Sequence, residues 1–99
     1  MYIDDYIHRL RGLCKQNNVA SLYVFGSVLT ENFTEQSDID LIVDIDSTDP
    51  IDYANNYFNL KFALQDLFQR QIDLLENKAI KNPYIRLKID NTKHLIYAK

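Results

Sequence analysis

The most regular pattern of apolar and polar residues is a strict alternation over residues 38–46, Asp-Ile-Asp-Leu-Ile-Val-Asp-Ile-Asp. Successive side chains of a strand point to opposite faces, so this alternation predicts a strand with one apolar face and one mainly acidic face. The apolar face would consist of Ile39, Leu41, Val43 and Ile45.

The remaining elements follow from periodicity and from the few Gly and Pro residues. Short apolar runs predict three more strands, over residues 19–25, 70–75 and 94–98. Helical spacing of apolar residues predicts helices over 3–16 and from about 79 to 90, and a short helix or helical turn within 28–36. A long amphipathic helix opens at Asp49-Pro50, with Asp as N-cap and Pro at the first helical position.

The order of elements is therefore α-β-α-β-α-β-α-β, in a single domain spanning 1–99. The ten residues between the first two strands are short for a parallel crossover, so we expect an antiparallel pair. The long helix before the third strand permits a parallel crossover. We predict an α/β (α+β) fold in which helices flank a small mixed β-sheet.

Composition narrows the class of protein. The chain has 99 residues, 46% of them hydrophobic and 25% charged, which is close to globular averages and excludes a disordered chain. The net charge of −3 argues against direct nucleic-acid binding. No apolar stretch approaches the length of a membrane span, and the single cysteine excludes an internal disulfide. We expect a cytoplasmic protein that does not bind membranes.

The candidate functional residues lie at adjacent ends of the first two predicted strands. Gly26-Ser27 ends the first strand, and ten residues separate it from Asp38-Ile39-Asp40. A glycine at a strand exit permits close backbone approach by a ligand, and amides with a hydroxyl suit a phosphate. Asp38 and Asp40 share one face of their strand, and Mg²⁺ takes one or two such carboxylates together with phosphate oxygens and water.

Asp73 is a third candidate carboxylate. It occupies a similar level in its strand to Asp40, so a parallel pairing would place it beside the aspartate pair. Three carboxylates can hold two metal ions for an in-line displacement. The alternatives are ordinary: a solvated acid at residue 73, the polar face of an edge strand at 38 and 40, and a simple turn at 26–27.

These residues together resemble a known family. Gly26-Ser27, ten residues, then Ser37-Asp38-Ile39-Asp40-Leu41, with a later Asp73, resembles the nucleotidyltransferase superfamily that includes DNA polymerase beta. The short chain is similar to the minimal nucleotidyltransferases, the MNT group. The resemblance implies the polymerase-beta-like fold.

The resemblance also implies roles for these residues. Asp38 and Asp40 would be ligands of two Mg²⁺ ions, and Asp73 would be the third carboxylate, which activates the acceptor hydroxyl. Gly26 and Ser27 would bind the phosphates of ATP, and Ser37 is a further candidate for nucleotide binding.

Many MNT proteins act as antitoxins of HEPN ribonuclease toxins, and transfer AMP from ATP to a tyrosine of the toxin. The resemblance therefore implies a HEPN partner and a hetero-oligomer. This chain has one recognisable lobe, so the platform for the acceptor would come from elsewhere. Two alternatives stay open: an antitoxin that acts by binding and occlusion, and nucleotidyl transfer to a small molecule.

The sequence does not identify the group that neutralises the triphosphate. Five basic residues in the last third of the chain are candidates, and a solvated surface position is the ordinary alternative for each. They are Arg70, Lys78, Lys81, Arg86 and Lys88.

Overall fold

The computed structural model describes residues 1–99 and contains one four-stranded sheet in the order β3-β2-β1-β4. The strands are β1 (Val19–Phe25), β2 (Ile39–Ile45), β3 (Ile72–Glu76) and β4 (His94–Ala98). β1 pairs antiparallel with β2 and with β4, whereas β2 pairs parallel with β3. The mixed sheet and the direction of both predicted pairings are thereby confirmed.

The chain has three α-helices: α1 (Ile7–Gln16) precedes β1, α2 (Pro50–Phe68) connects β2 to β3, and α3 (Pro83–Thr92) lies between β3 and β4. The carboxylate of Asp49 caps α2 by accepting a hydrogen bond of 2.9 Å from the amide of Ile51. Asn82 caps α3 in the same way, and each cap is followed by proline. None of the helices is both long and apolar enough to span a bilayer.

Short 3₁₀ helices replace two of the predicted helical segments. Residues Tyr2–Tyr6 are 3₁₀, so α1 begins four residues later than predicted. The helical turn after β1 covers Gly26–Leu29, and the chain from Thr30 to the start of β2 is irregular. Hydroxyl groups in this segment bind its own backbone amides, which competes with helix formation.

The main core lies between one face of the sheet and the helices α1 and α2. It contains 17 buried residues, among them the predicted apolar face of β2. Leu10 of α1 and Leu60 and Leu64 of α2 are fully buried in it. Cys14 belongs to the same core, where burial raises the pKa of its thiol to about 12, so it is a packing residue.

The opposite face of the sheet carries the alternate residues of each strand. Asp40 and Ile42 of β2 point to this face, and Ile42 is buried there. α3 lies over it, since residues of α3 and residues of the strands line a common cleft. The sheet therefore separates a closed apolar core from an open side that carries Asp40.

Candidate active site

Strand pairing brings the predicted catalytic aspartates to one row of the sheet. Asp40 lies opposite Phe25 in the antiparallel pair and opposite Asp73 in the parallel pair. Residues that oppose each other across paired strands point to the same face, so Asp40 and Asp73 are neighbours there. Asp38 immediately precedes β2, two residues before Asp40, and so lies at the same end of the strand.

Asp40 lies in the electrostatic field of the other two carboxylates. Partial burial, followed by the nearby charges of Asp73 and then Asp38, raises the pKa of the Asp40 carboxyl above its ordinary value. Asp38 and Asp73 themselves are exposed. The site thus concentrates negative charge around a half-buried carboxylate, an arrangement that a cation would stabilise.

The donor set suits Mg²⁺ better than a metal that needs a closed protein cage. No group of three or more His, Cys, Asp or Glu side chains is gathered at metal-ligand spacing. Asp40 and Asp73 are paired on adjacent strands, and Asp38 lies at the end of β2, so their carboxylates are hard oxygen donors on an open surface. Mg²⁺ is commonly held in this way, by one or two carboxylates with phosphate and water oxygens completing its shell.

Gly26 is required by its contact with Asp40. Its φ of +79° lies in the left-handed region that disfavours other residues, and an added Cβ would overlap Oδ2 of Asp40 and lie 3.2 Å from its Cγ. The turn after β1 therefore passes directly against the central carboxylate. Ser27 follows in the same turn, and its carbonyl accepts hydrogen bonds from the amide and hydroxyl of Thr30 at 2.9 and 2.8 Å.

Ser37 is engaged within the loop that precedes β2. Its hydroxyl accepts a hydrogen bond of 2.9 Å from the amide of Thr34 and lies 3.2 Å from the Thr34 hydroxyl. Its carbonyl accepts a hydrogen bond from Arg70. These contacts give Ser37 a role in shaping the loop, and nucleotide binding by this residue stays a prediction.

A cleft of about 750 Å³ opens between the sheet and α3, next to the aspartates. Its lining is mainly apolar, with Asp40 and Lys88 as its charged members. A cleft with apolar walls and few polar groups is the usual form of a small-molecule site, and its volume is in the usual range. The lining comprises Phe25, Gly26, Leu29, Thr30, Asp40, Leu75, Ile85, Lys88, Ile89 and Thr92.

The five candidate basic residues have different surroundings in the structure. Lys88 lines the cleft, whereas Lys78 lies over the ring of Tyr53 at 3.7 Å, and Arg86 donates to Asn77. Arg70 donates to backbone carbonyls outside the cleft, and Lys81 does not line it. Lys88 is therefore the candidate that faces the predicted catalytic residues.

Sequence reasoning missed the part that α3 plays in the site. The signal was present: Ile85 and Ile89 are four residues apart, and Lys88 follows Ile85 by three, so all three share one helix face. The sequence pattern shows that this helix face is partly apolar, but it does not show which side of the sheet the helix covers. The face was therefore not assigned to the site.

Comparison with known proteins identifies the family of the chain. Residues 9–99 match the family model described as "Polymerase beta, Nucleotidyltransferase". One relative is a protein of Methanocaldococcus jannaschii named "Putative protein adenylyltransferase". It is 38% identical over 96 residues, which cover 96% of this chain and 93% of the relative.

Two solved structures share the fold. One, described as a "putative minimal nucleotidyltransferase", aligns with a TM-score of 0.76 at 22% identity, and the alignment covers 94% of this chain and 91% of that one. The other belongs to a complex of the tri-AMPylated HEPN toxin of Shewanella oneidensis with its MNT antitoxin. It aligns with a TM-score of 0.62 at 18% identity, and the alignment covers 94% of this chain and 70% of that one. The family match and the 38% identical relative show that the chain belongs to the polymerase beta nucleotidyltransferase family and is a nucleotidyltransferase.

Proposed function

We propose that this nucleotidyltransferase is an antitoxin that transfers AMP from ATP to a tyrosine hydroxyl of a HEPN-type ribonuclease and so inhibits it. The observation that carries the proposal is the register of the parallel pair, which sets Asp73 directly opposite Asp40 on the strand next to it. The turn at Gly26 lies against the same carboxylate. The turn that we propose to bind phosphate is thus adjacent to Asp40, and Asp40 is adjacent to Asp73.

Asp38, Asp40 and Asp73 would hold two Mg²⁺ ions together with the phosphates of ATP. Bound there, Mg²⁺ supplies positive charge that stabilises the developing charge on the transferred phosphoryl group and on the leaving pyrophosphate. The raised pKa of Asp40 fits this assignment, because its causes are partial burial and then the nearby negative charges of Asp73 and Asp38.

Gly26 and Ser27 would bind the phosphates. The absence of a Cβ at Gly26 lets the turn lie directly against Asp40, so a phosphate bound at this turn would lie next to the carboxylate and its metal ion. Ser27 would add a hydroxyl, and Ser37, in the loop before β2, stays a further candidate for nucleotide binding. Lys88, across the cleft on α3, would neutralise part of the triphosphate charge, and the apolar lining would receive the base.

The transfer itself is an in-line displacement. The acceptor hydroxyl oxygen forms a bond to the α-phosphorus while the bond from that phosphorus to the bridging oxygen of pyrophosphate breaks, and pyrophosphate leaves with the electron pair. Asp73 accepts the proton of the hydroxyl. Asp73 suits this role because it is exposed and lies on β3, an edge strand that an acceptor can approach.

A protein acceptor is supported by three facts. Asp73 is exposed on the edge strand β3, where a large acceptor can approach it. A relative that matches nearly the whole chain is named as a protein adenylyltransferase. A structure with the same fold is an MNT antitoxin bound to an AMPylated HEPN toxin.

Binding without catalysis is the second candidate function. Several large apolar side chains of α2 and α3 are exposed, such as Phe62 at 61% and Leu87 at 60%, and such side chains favour a protein partner. An antitoxin could therefore inhibit by covering its toxin. The two functions differ in whether inhibition needs Asp38 and Asp40.

The test is co-purification of the chain with the product of its neighbouring gene, followed by incubation with ATP and Mg²⁺. We expect the partner to gain the mass of one or more AMP units on a tyrosine and to lose its ribonuclease activity. The double variant D38A/D40A should lower transfer at least about 100-fold. A double variant that still inhibits without a change in the partner's mass would favour occlusion.

A further inference from the structure

The loop that precedes β2, residues 30–38, carries Asp38 but has no regular secondary structure. Asp40 is fixed by strand pairing on both sides, whereas Asp38 lies one residue before the first residue of β2. The β2 hydrogen bond next to Asp38 in sequence runs from the amide of Ile39 to the carbonyl of Gln71, at 3.1 Å. The position of the Asp38 carboxylate therefore depends on what holds this loop.

Arg70 holds it. One guanidinium nitrogen donates to the carbonyl of Ser37 at 2.8 Å and to the carbonyl of Thr34 at 3.0 Å. The Ser37 carbonyl belongs to the peptide bond that joins Ser37 to Asp38, so the contact lies one residue from the candidate ligand. Hydrogen bonds from a charged donor are stronger than neutral ones, and both ends of the short turn at 34–37 are held.

Two aromatic rings contact the guanidinium group of Arg70. Its central carbon lies 4.6 Å from the ring centroid of Phe33 and 4.9 Å from that of Tyr2. The two rings are themselves in contact, with centroids 5.1 Å apart. A planar guanidinium can contact aromatic faces while its edge donates hydrogen bonds, which an ammonium group does less well.

Arg70 also lies three residues before Asp73 on the approach to β3. It thus joins the loop that carries Asp38 to the start of the strand that carries Asp73, and Asp73 lies opposite Asp40. We propose that Arg70 is a positioning residue that sets Asp38 relative to Asp40 and Asp73. It does not bind the triphosphate, because its guanidinium is directed to the loop backbone and does not line the cleft.

The inference rests on the proposed function for its kinetic readout. In Arg70→Met the stem stays and the guanidinium is lost. We expect kcat to fall about 10- to 100-fold and the Mg²⁺ concentration for half-maximal rate to rise by a similar factor. The KM for ATP at saturating Mg²⁺ should change less than about twofold, since no phosphate contact is removed. Arg70→Lys should recover only part of the loss.

Arg9→Met is the matched control. Arg9 lies over the ring of Tyr6 at 5.2 Å, so it makes the same kind of contact with an aromatic ring and none with the loop. Its kinetics and Mg²⁺ dependence should equal those of the wild type. A KM for ATP that rises in Arg70→Met with kcat unchanged would overturn the proposal in favour of triphosphate binding.

Amide hydrogen exchange measured by NMR tests the inference apart from catalysis. In Arg70→Met the amides of Thr34 and Ser37, which bond within the loop, should exchange at least about tenfold faster, while amides of β1 and β2 keep their protection. Unchanged loop exchange, or a uniform increase throughout the chain, would overturn the inference. A wild type that shows no AMP transfer refutes the proposed function and leaves this exchange test of Arg70 valid.

Discussion

A single hydrogen atom at Gly26, where any other residue has a Cβ, keeps the turn after β1 in contact with Asp40. The residue has a φ of +79°, and a methyl group there would overlap the carboxylate. Two independent requirements, backbone conformation and close approach, thus fall on one position. We therefore expect activity to depend on this residue although it has no functional side chain.

Gly26→Ala should therefore harm both folding and activity. We expect the free energy of unfolding to fall by roughly 1–2 kcal/mol from the left-handed backbone alone, and AMP transfer to fall by at least about tenfold as Asp40 is displaced. Thermal melting and transfer from labelled ATP measure the two effects.

Gly12→Ala is the control for that change. Gly12 lies inside α1, and an added Cβ would meet nothing within 4 Å. Alanine is the better helix former, so this variant should gain about 0.5–1 kcal/mol of stability with unchanged activity. If both glycine variants retained wild-type transfer, the contact between Gly26 and Asp40 would have no part in catalysis.

At the scale of elements, the site depends on one parallel pairing. The long helix α2 carries the chain back so that β3 runs beside β2 in the same direction. In that register Asp73 opposes Asp40, whereas a shift by one residue would turn Asp73 to the core face. Ile72 and Leu74, buried on the core face, fix the register by their packing.

Asp73→Asn should lower turnover more than it lowers ATP affinity. The amide keeps the shape of the side chain but loses the charge and the capacity to accept the hydroxyl proton. We expect kcat to fall at least about 100-fold with the KM for ATP within about threefold of the wild type, measured by steady-state and single-turnover transfer. Asp66→Asn, at an exposed position of α2, is the control. Lost ATP affinity with an unchanged single-turnover rate would make Asp73 a binding residue.

Most of the element pattern was predictable from the sequence because local signals agreed with packing. The alternation in β2, the Asp49-Pro50 cap of α2 and the bounds of β1 and β4 were all predicted and are confirmed. The irregular loop before β2 was not predicted, because its hydroxyl contacts depend on the fold around it. The contacts of Arg70 were likewise not predicted, since its two hydrogen-bond acceptors lie more than 30 positions away in the sequence.

At the scale of the whole molecule, the chain leaves large apolar side chains in solvent. Ile51, Phe58 and Phe62 of α2 are 71%, 50% and 61% exposed, and Tyr84 of α3 is 83% exposed. The rings of Phe58 and Phe62 stack on each other with centroids 6.1 Å apart. Aromatic residues are enriched in protein interfaces, where they bury much area at a small cost in side-chain entropy.

We therefore expect a stable complex with a helical partner that forms independently of catalysis. The wild type and the double variant D38A/D40A should both co-elute with the product of the neighbouring gene in size-exclusion chromatography, because the exposed apolar side chains are unchanged. The interface should bury about 1,200 Å² or more in total. Intact mass spectrometry should show AMP on the partner only with the wild type. A wild type that elutes alone and leaves the mass of the neighbouring protein unchanged would refute the protein acceptor, and a small-molecule hydroxyl would then be the acceptor to test.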